Sequence, residues 1–422
     1  MSEQKTMIKP GIQFHQIKTN KFKTNLLAVF LTVPITKEHV TENAVLGTLL
    51  KSGSKTMPNQ EKINETLEGM YGAVLDSGIE KTGDNQVLKF YMEVIDDDFL
   101  PKKEEILTKA LEVLLEIVFD PYLENGIFKA EYVKNEKEKI KQIIESKIDN
   151  KAAYAIDRCI ENMYENKAYS IYRYGYVEDL EKITPENLYK AYIELIHNCK
   201  IDIFASGNFQ EDLSKKIQEH PMIKSLPERK ENLLREENLS SISQPKIVEE
   251  HREVTQGKLV IGLVATPQKE LTNFNYITMV YNAILGGGAN SKLFQNVREK
   301  ASLAYTTSSN FVKIKENIFI RAGIEIQNYE KAMKIIEEQL EAMKRGDFSQ
   351  EDIQNAKNLI LSTIEGIEEE QDAEISYYFG QEIAGNQITI EEYKNKIEKV
   401  SKEEIKQVAN NISMHTIYFL RD

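Results

Sequence analysis

The chain has 422 residues, enough for two or three domains, and 41% of them are hydrophobic, which is sufficient for ordinary cores. Asp and Glu outnumber Lys and Arg by 67 to 54, and the resulting net charge of −13 repels phosphate backbones and anionic lipid, so nucleic acid is not an expected partner. No apolar run nears the roughly 20 residues of a bilayer span, and Met1 to Pro10 lacks the hydrophobic core of a signal peptide, so a cytoplasmic protein without membrane association is expected.

Along the chain the same order of signals occurs twice, at a separation of about 230 residues, as a duplicated domain would give. Leu26 to Val33 opens the first half and Leu259 to Ala265 the second; both are short, apolar and β-branched, the composition of strands buried on two faces. Leu88, Phe90, Met92 and Val94 then alternate with polar neighbours, as do Ile318, Ile320, Ala322, Ile324 and Ile326, and period two predicts strands with one packed face. A helix follows each, with stripes at Ile106, Ala110, Val113, Leu114 and Ile117 and at Ile335, Ile336, Leu340 and Met343. Second helices are predicted over Lys129 to Lys147 and after Ser349, whose spacing to Asp352 resembles a capping box.

The closing units match as well. Thr184 before Pro185 reads as an N-cap before a first-turn proline, and Ser401 with Glu404 as a capping box; the helices they open lead to strands at Ile201 to Ala205 and Thr416 to Leu420. The polar stretch between the halves has no usable period and reads as a linker. The expected organisation is α+β: a domain over residues 1–225, a linker over 226–255 and a second domain over 256–422, each domain a sheet with helices packed on one face.

Catalytic chemistry is scarce. A zinc hydrolase needs three protein ligands and a water, most simply from two histidines a turn apart. His15, His39, His197, His220, His251 and His415 are scattered, and the H-x-x-E of His39 to Glu42 is followed by Asn43, a poor ligand. Cys159 and Cys199 sit among apolar neighbours, as buried thiols do, with no flanking histidine; no G-x-S-x-G elbow occurs. Gly286, Gly287 and Gly288 precede Ser291 and Lys292 without the spacing of a phosphate loop, so a glycine-permitted hinge turn into a helix over Ser291 to Lys300 is predicted. Arg298 late in that helix and Tyr305 at the head of the strand-like Tyr305 to Ser309 remain as candidates.

The segment Gly286 to Tyr305, Gly-Gly-Gly-x-x-Ser-x-Leu-Phe-x-x-Val-Arg-Glu-Lys-x-x-Leu-Ala-Tyr, resembles the C-terminal-domain signature of the insulinase/pitrilysin family of zinc peptidases, in its half-length, processing-peptidase-like form. The resemblance extends from about Gly11 to the end, and it implies two homologous domains with mixed, mostly antiparallel sheets. It also implies that Arg298 and Tyr305 reach bound substrate. Catalytic members carry H-x-x-E-H ahead of a segment like Leu49 to Lys55; in that register Ala44, Gly47 and Thr48 stand where the first histidine, the glutamate and the second histidine would be. Glu145, seven residues after Glu138, matches the distal zinc glutamate, but one carboxylate cannot hold zinc, so no metal and no cofactor is expected on this chain.

The family includes two-chain enzymes in which one subunit supplies zinc and the other the arginine and tyrosine. The resemblance therefore implies a heterodimer with an H-x-x-E-H-containing member of similar length, zinc in that partner, and peptide substrates. Two alternatives are a peptidase-like scaffold or peptide-binding protein without proteolytic role, and a metal-independent enzyme using Glu138 and Glu145. A homodimer is also compatible with the sequence.

Overall fold

The computed structural model of the protein describes residues 3–210, 212–230 and 232–422. Met1, Ser2, Glu211 and Glu231, which belong to the stretches assigned above to the first domain and the linker, lie outside the described residues. The chain forms two compact units that are not consecutive in sequence. The first holds residues up to Ser146, Ile171–Arg235 and Ile367–Gln387; the second holds Lys147–Ser170, Glu236–Gly366 and Ile388–Asp422. Each unit thus takes a segment from the other half of the chain.

The first unit is built on strands β1 (Gln4–Lys9), β2 (Ile12–Lys18), β3 (Thr24–Pro34), β4 (Val74–Thr82) and β5 (Asn85–Ile95), a small hairpin β6 (Leu123–Glu124) and β7 (Ile127–Phe128), and β8 (Lys200–Gly207). The main sheet has the order β1-β2-β8-β3-β5-β4, and every neighbouring pair is antiparallel except β2 with β8. Leu27, Val29 and Leu31 on one face of β3 join a core with Ala44, Val45 and Leu46 of helix Val40–Leu49 and Ile106, Ala110 and Leu114 of helix Ile106–Phe119. On the other face Phe30 meets Phe379 of helix Gln371–Ala384 edge-on at 4.8 Å, with the buried Lys89 ammonium 4.9 Å from its ring centre. An aromatic contact of this geometry adds about 0.5–1.5 kcal/mol to the area it buries.

The second unit contains β9 (Lys246–His251), β10 (Gly257–Ala265), β11 (Ala304–Val312), β12 (Asn317–Ile324) and β13 (Ile412–Arg421) in the order β11-β12-β10-β13-β9. All pairs are antiparallel except β13 with β9. Val260, Val264, Phe319, Tyr418 and Leu420 pack against Tyr154, Ala155, Cys159 and Met163 of helix Lys151–Met163. The alternate residues Leu259, Ile261 and Leu263 are buried on the opposite face, as period two requires. Glu250 of β9 ties the helix down: it accepts from Tyr154 Oη (2.7 Å), Arg158 Nε (2.8 Å), Tyr418 Oη (2.9 Å) and Arg252 Nε (3.0 Å). Burial pushes this carboxyl up, but those four donors overrule it and bring its pKa to about 2.

Two homologous α+β halves with mixed, mostly antiparallel sheets are therefore what the chain forms. The predicted caps at Thr184 and Ser401 close as boxes with Asn187 and Glu404. The second of the alternating strands ends at Ile324 instead of Ile326. The segment read as a linker holds β9, held by pairing with β13 and by the contacts of Glu250: Val248 and Glu250 are half-buried and the other four residues are exposed, so no apolar period marks it.

Candidate functional site

Ala44, Gly47 and Thr48 lie on helix Val40–Leu49, with Ala44 and Gly47 turned into the core. A Cβ added to Gly47 would stand 3.0 Å from Ile79 Cγ1 and 3.2 Å from its Cδ1, so the space a glutamate side chain needs is already filled. The Thr48 hydroxyl donates back to the Val45 carbonyl at 3.0 Å. Glu138 and Glu145 sit on helix Ala130–Glu145, which packs against the first helix, but both are exposed. The inward carboxylate of that helix is Glu136, which accepts from Ser52 Oγ at 3.3 Å and pairs with Lys139 at 2.6 Å. Its signal in the sequence is its spacing from Val133 and Ile140, which shares their buried face.

Zinc does not fit these positions: two offer no donor atom, the third has its hydroxyl engaged, and the remaining carboxylates are exposed on the neighbouring helix. Among the described residues no three His, Cys, Asp or Glu side chains are placed to share a metal ion. Cys159 and Cys199 are buried, and burial pushes both thiols up to about 12, so neither supplies a thiolate near neutrality.

Arg298 and Tyr305 belong to the second unit. Helix Phe274–Gly286 ends at the glycine triplet, the chain turns, and the next helix winds with the wider π spacing over Phe294–Lys300 in place of the predicted α-helix. Such turns are rare and recur at functional sites. The Arg298 guanidinium lies 4.6 Å from the Phe294 ring centre and 3.7 Å from Glu299, and its side chain is 43% exposed. Phe294, four residues earlier on the same helix, is a contact that sequence reading overlooked. The helix stops with Ser302 in the left-handed region (φ 53°) and the Leu303 N–H donating to the Val297 carbonyl at 3.0 Å.

Tyr305 follows in β11, an edge strand, at a bulge: pairing with β12 skips it between Ala304 and Thr306. Tyr305 is 62% exposed and its hydroxyl has no partner among the described residues. Bulges re-aim side chains at sheet edges, and here the result is a phenol presented to solvent. Arg298 and Tyr305 thus share one connection, and neither holds the core together.

The glycine triplet does not owe its glycines to left-handed backbone. Gly286, Gly287 and Gly288 all have ordinary backbone conformations, Gly287 at φ −78°. Gly286 is needed for close approach instead, since a Cβ there would come within 2.5 Å of Ser309 Oγ and 2.6 Å of its backbone nitrogen. Gly286→Ala is expected to destabilise the protein by about 1–3 kcal/mol through overpacking. Gly288→Ala, whose added carbon would meet Leu359 at 3.4 Å, is expected to stay within about 0.5 kcal/mol. Urea titration of the two variants checks the contrast, and equal midpoints would show that the approach at Ser309 relaxes freely.

Residues 182–360 match the family model described as the peptidase M16 inactive domain. Over 419 residues the chain is 34% identical to a Bacillus subtilis (strain 168) protein named "Probable inactive metalloprotease YmfF", a match that covers 97% of this chain and 96% of that one. The crystal structure of a conserved protein from Enterococcus faecalis V583 superposes with a TM-score of 0.89 at 27% identity, covering 100% of this chain and 99% of that chain. A peptidase M16 inactive domain from Pseudomonas fluorescens shares the fold, with a TM-score of 0.78 at 16% identity and coverage of 100% and 98%.

Proposed function

The chain belongs to the insulinase/pitrilysin (M16) family of peptidases as one of its inactive members, and from that premise we propose that it is the substrate-holding subunit of a two-chain zinc peptidase. Its partner in this reading is a family member of similar length that carries H-x-x-E-H and the zinc, and the pair cleaves peptides in the cytoplasm. No helix of the described residues is long and apolar enough to cross a membrane, which is compatible with that placement.

One contrast carries the reading. Where a zinc peptidase keeps its ligands, this chain has packed Ala44 and Gly47 into its core, while Arg298 and Tyr305 stand exposed on a shaped connection and do no work for the fold. Arg298 offers a fixed cation with planar donors to a substrate carbonyl, its guanidinium braced on Phe294. Tyr305 offers a hydroxyl donor to the carbonyl oxygen that gains charge as the peptide bond is attacked.

Non-proteolytic scaffolding is the second reading, and it is favoured by one observation: close packing on Ser309 is enough to require the glycine at Gly286 without any part in catalysis. Co-purification with an H-x-x-E-H-containing protein of the same organism separates the two. Neither chain alone is expected to cleave a mixture of unstructured peptides, and the pair is expected to do so and to lose the activity to a chelator. Turnover by the isolated chain, or an inert but stable pair, would reject the subunit reading.

A further inference from the structure

Strand β1 is attached to its sheet by charge more than by apolar burial. Of its six residues the first four are exposed and only Ile8 is buried, so the hydrophobic contribution to its docking is small. Around its start lies a chain of charged groups inside the first unit. Both ring nitrogens of the fully buried His15 on β2 face carboxylates, Nδ1 facing Glu3, which immediately precedes β1, and Nε2 facing Asp202 of β8 at 3.0 Å. Asp202 is bonded in turn by the buried Lys200, which lies 3.3 Å from Glu382 on helix Gln371–Ala384, and Glu382 also takes Lys5 of β1 at 2.6 Å. Lys5 stands opposite His15 in the β1–β2 register, and Phe204 stacks on the imidazole at 4.3 Å. Tyr378, from the same helix as Glu382, also lies close to Glu3.

Two features of this set are decisive. A carboxylate only accepts hydrogen bonds, and neutral imidazole has one donor and one acceptor, so both of His15's contacts are satisfied only when both ring nitrogens carry protons. The charge count agrees. Glu3, Asp202 and Glu382 are balanced by Lys5, Lys200 and an imidazolium at His15, whereas a neutral ring leaves an uncompensated negative charge around the buried Asp202, His15 and Lys200.

We propose that these groups form a proton-operated latch: with the imidazolium in place β1 is held on the sheet edge, and with one proton gone β1 lifts and leaves the edge of β2 open. The proton leaves to solvent from the nitrogen facing Glu3, because Asp202 is fully buried and keeps the other. Glu3, whose side chain is 19% exposed, then faces a lone pair and turns to water, taking the start of β1 with it. Lys9, which donates to the carbonyls of Leu226 (2.6 Å) and Lys224 (2.9 Å), retains the far end. Burial by itself lowers the His15 pKa, and the hydrogen bonds and charges of Asp202 and Glu3 reverse this and leave it raised above the usual histidine value. A raised folded-state pKa gives stabilisation that is complete below about pH 6.5 and is lost as pH rises through the folded value.

Hydrogen exchange of the full chain read by mass spectrometry tests the latch between pH 6 and 9, after correction for intrinsic exchange. The peptide spanning β1 is expected to lose protection as the pH rises across this range, while peptides from β3 and β5 do not change. His15→Gln is expected to exchange quickly at β1 at every pH. Should that variant fail to fold, Glu3→Gln, altered at a partly exposed end, must abolish the pH dependence, and the nitrogen-15 shifts of His15 in the unaltered protein must report two protonated nitrogens at the acid end of the range, where β1 is protected. A β1 protection that is flat with pH, or one that stays pH-dependent in Glu3→Gln, overturns the proposal.

Discussion

Turnover by the proposed two-chain peptidase is expected to fall roughly 10²- to 10³-fold when Tyr305 of this chain is changed to phenylalanine, with no shift of this chain's unfolding midpoint. The two halves of that expectation rest on separate observations. Tyr305 is 62% exposed with no hydrogen-bond partner among the described residues, so removing its oxygen leaves no cavity and no orphaned donor, and stability should change by less than about 0.5 kcal/mol. The proposed contact forms with an oxygen whose charge grows along the reaction, so its loss is expected in kcat.

Arg298→Ala should behave differently. A guanidinium that positions the peptide in both ground and transition states contributes uniform binding, so its removal is expected mainly in KM. The braced stacking on Phe294 is lost as well, which makes Arg298→Lys a poor rescue, since an ammonium neither stacks nor forks. If kcat and KM for peptide cleavage by the pair are unaltered in both variants, the connection between Phe294 and Tyr305 does not touch substrate and the scaffold reading takes its place.

Local pattern made the two-sided strands and their helices legible. β3 and β10 read as continuous apolar runs because both of their faces are covered, whereas β5 and β12, read from their alternation as packed on one face, are in fact buried on both, with only Glu93 and Arg321 exposed. The edges were not legible. β1 and β9 bury almost no apolar surface, and a strand recruited by backbone pairing and charged contacts leaves no apolar period to read. Nor was the exchange of segments between the units. Tyr154, Ala155, Cys159 and Met163 make an ordinary amphipathic face, but nothing in their spacing says that it will meet Val260 and Tyr418 instead of the strands nearest in sequence. Within the candidate site, residue identities at Ala44, Gly47 and Thr48 were enough to see that donors are missing. The π-wound turn under Arg298 and the bulge at Tyr305 depend on backbone pairing that side-chain patterns do not encode.

Restoring the zinc motif letter by letter is expected to unfold the protein before it creates a metal site. Gly47→Glu places a carboxylate on the buried face of helix Val40–Leu49, where its first carbon already meets Ile79 at 3.0 Å and Leu88 at 3.4 Å. Overpacking of this kind costs about 1–3 kcal/mol, and an unpaired buried charge adds several more, a total comparable to the whole stability of a typical domain. Ala in place of Gly47 separates the two parts. Its methyl meets the same contacts without a charge, and the roughly 1 kcal/mol gain in helix propensity offsets part of the strain, so Gly47→Ala should fold. Urea unfolding of Gly47→Ala, Gly47→Glu, and Gly47→Glu combined with Ile79→Ala resolves the question. Recovery of more than about half the loss in the double variant assigns the defect to packing, and persistence of the loss assigns it to the stranded carboxylate. A folded Ala44→His, Gly47→Glu, Thr48→His protein that binds zinc stoichiometrically would show that this helix has kept room for the metal after all, and that absence of ligands, not the packing that replaced them, is what separates this chain from its catalytic relatives.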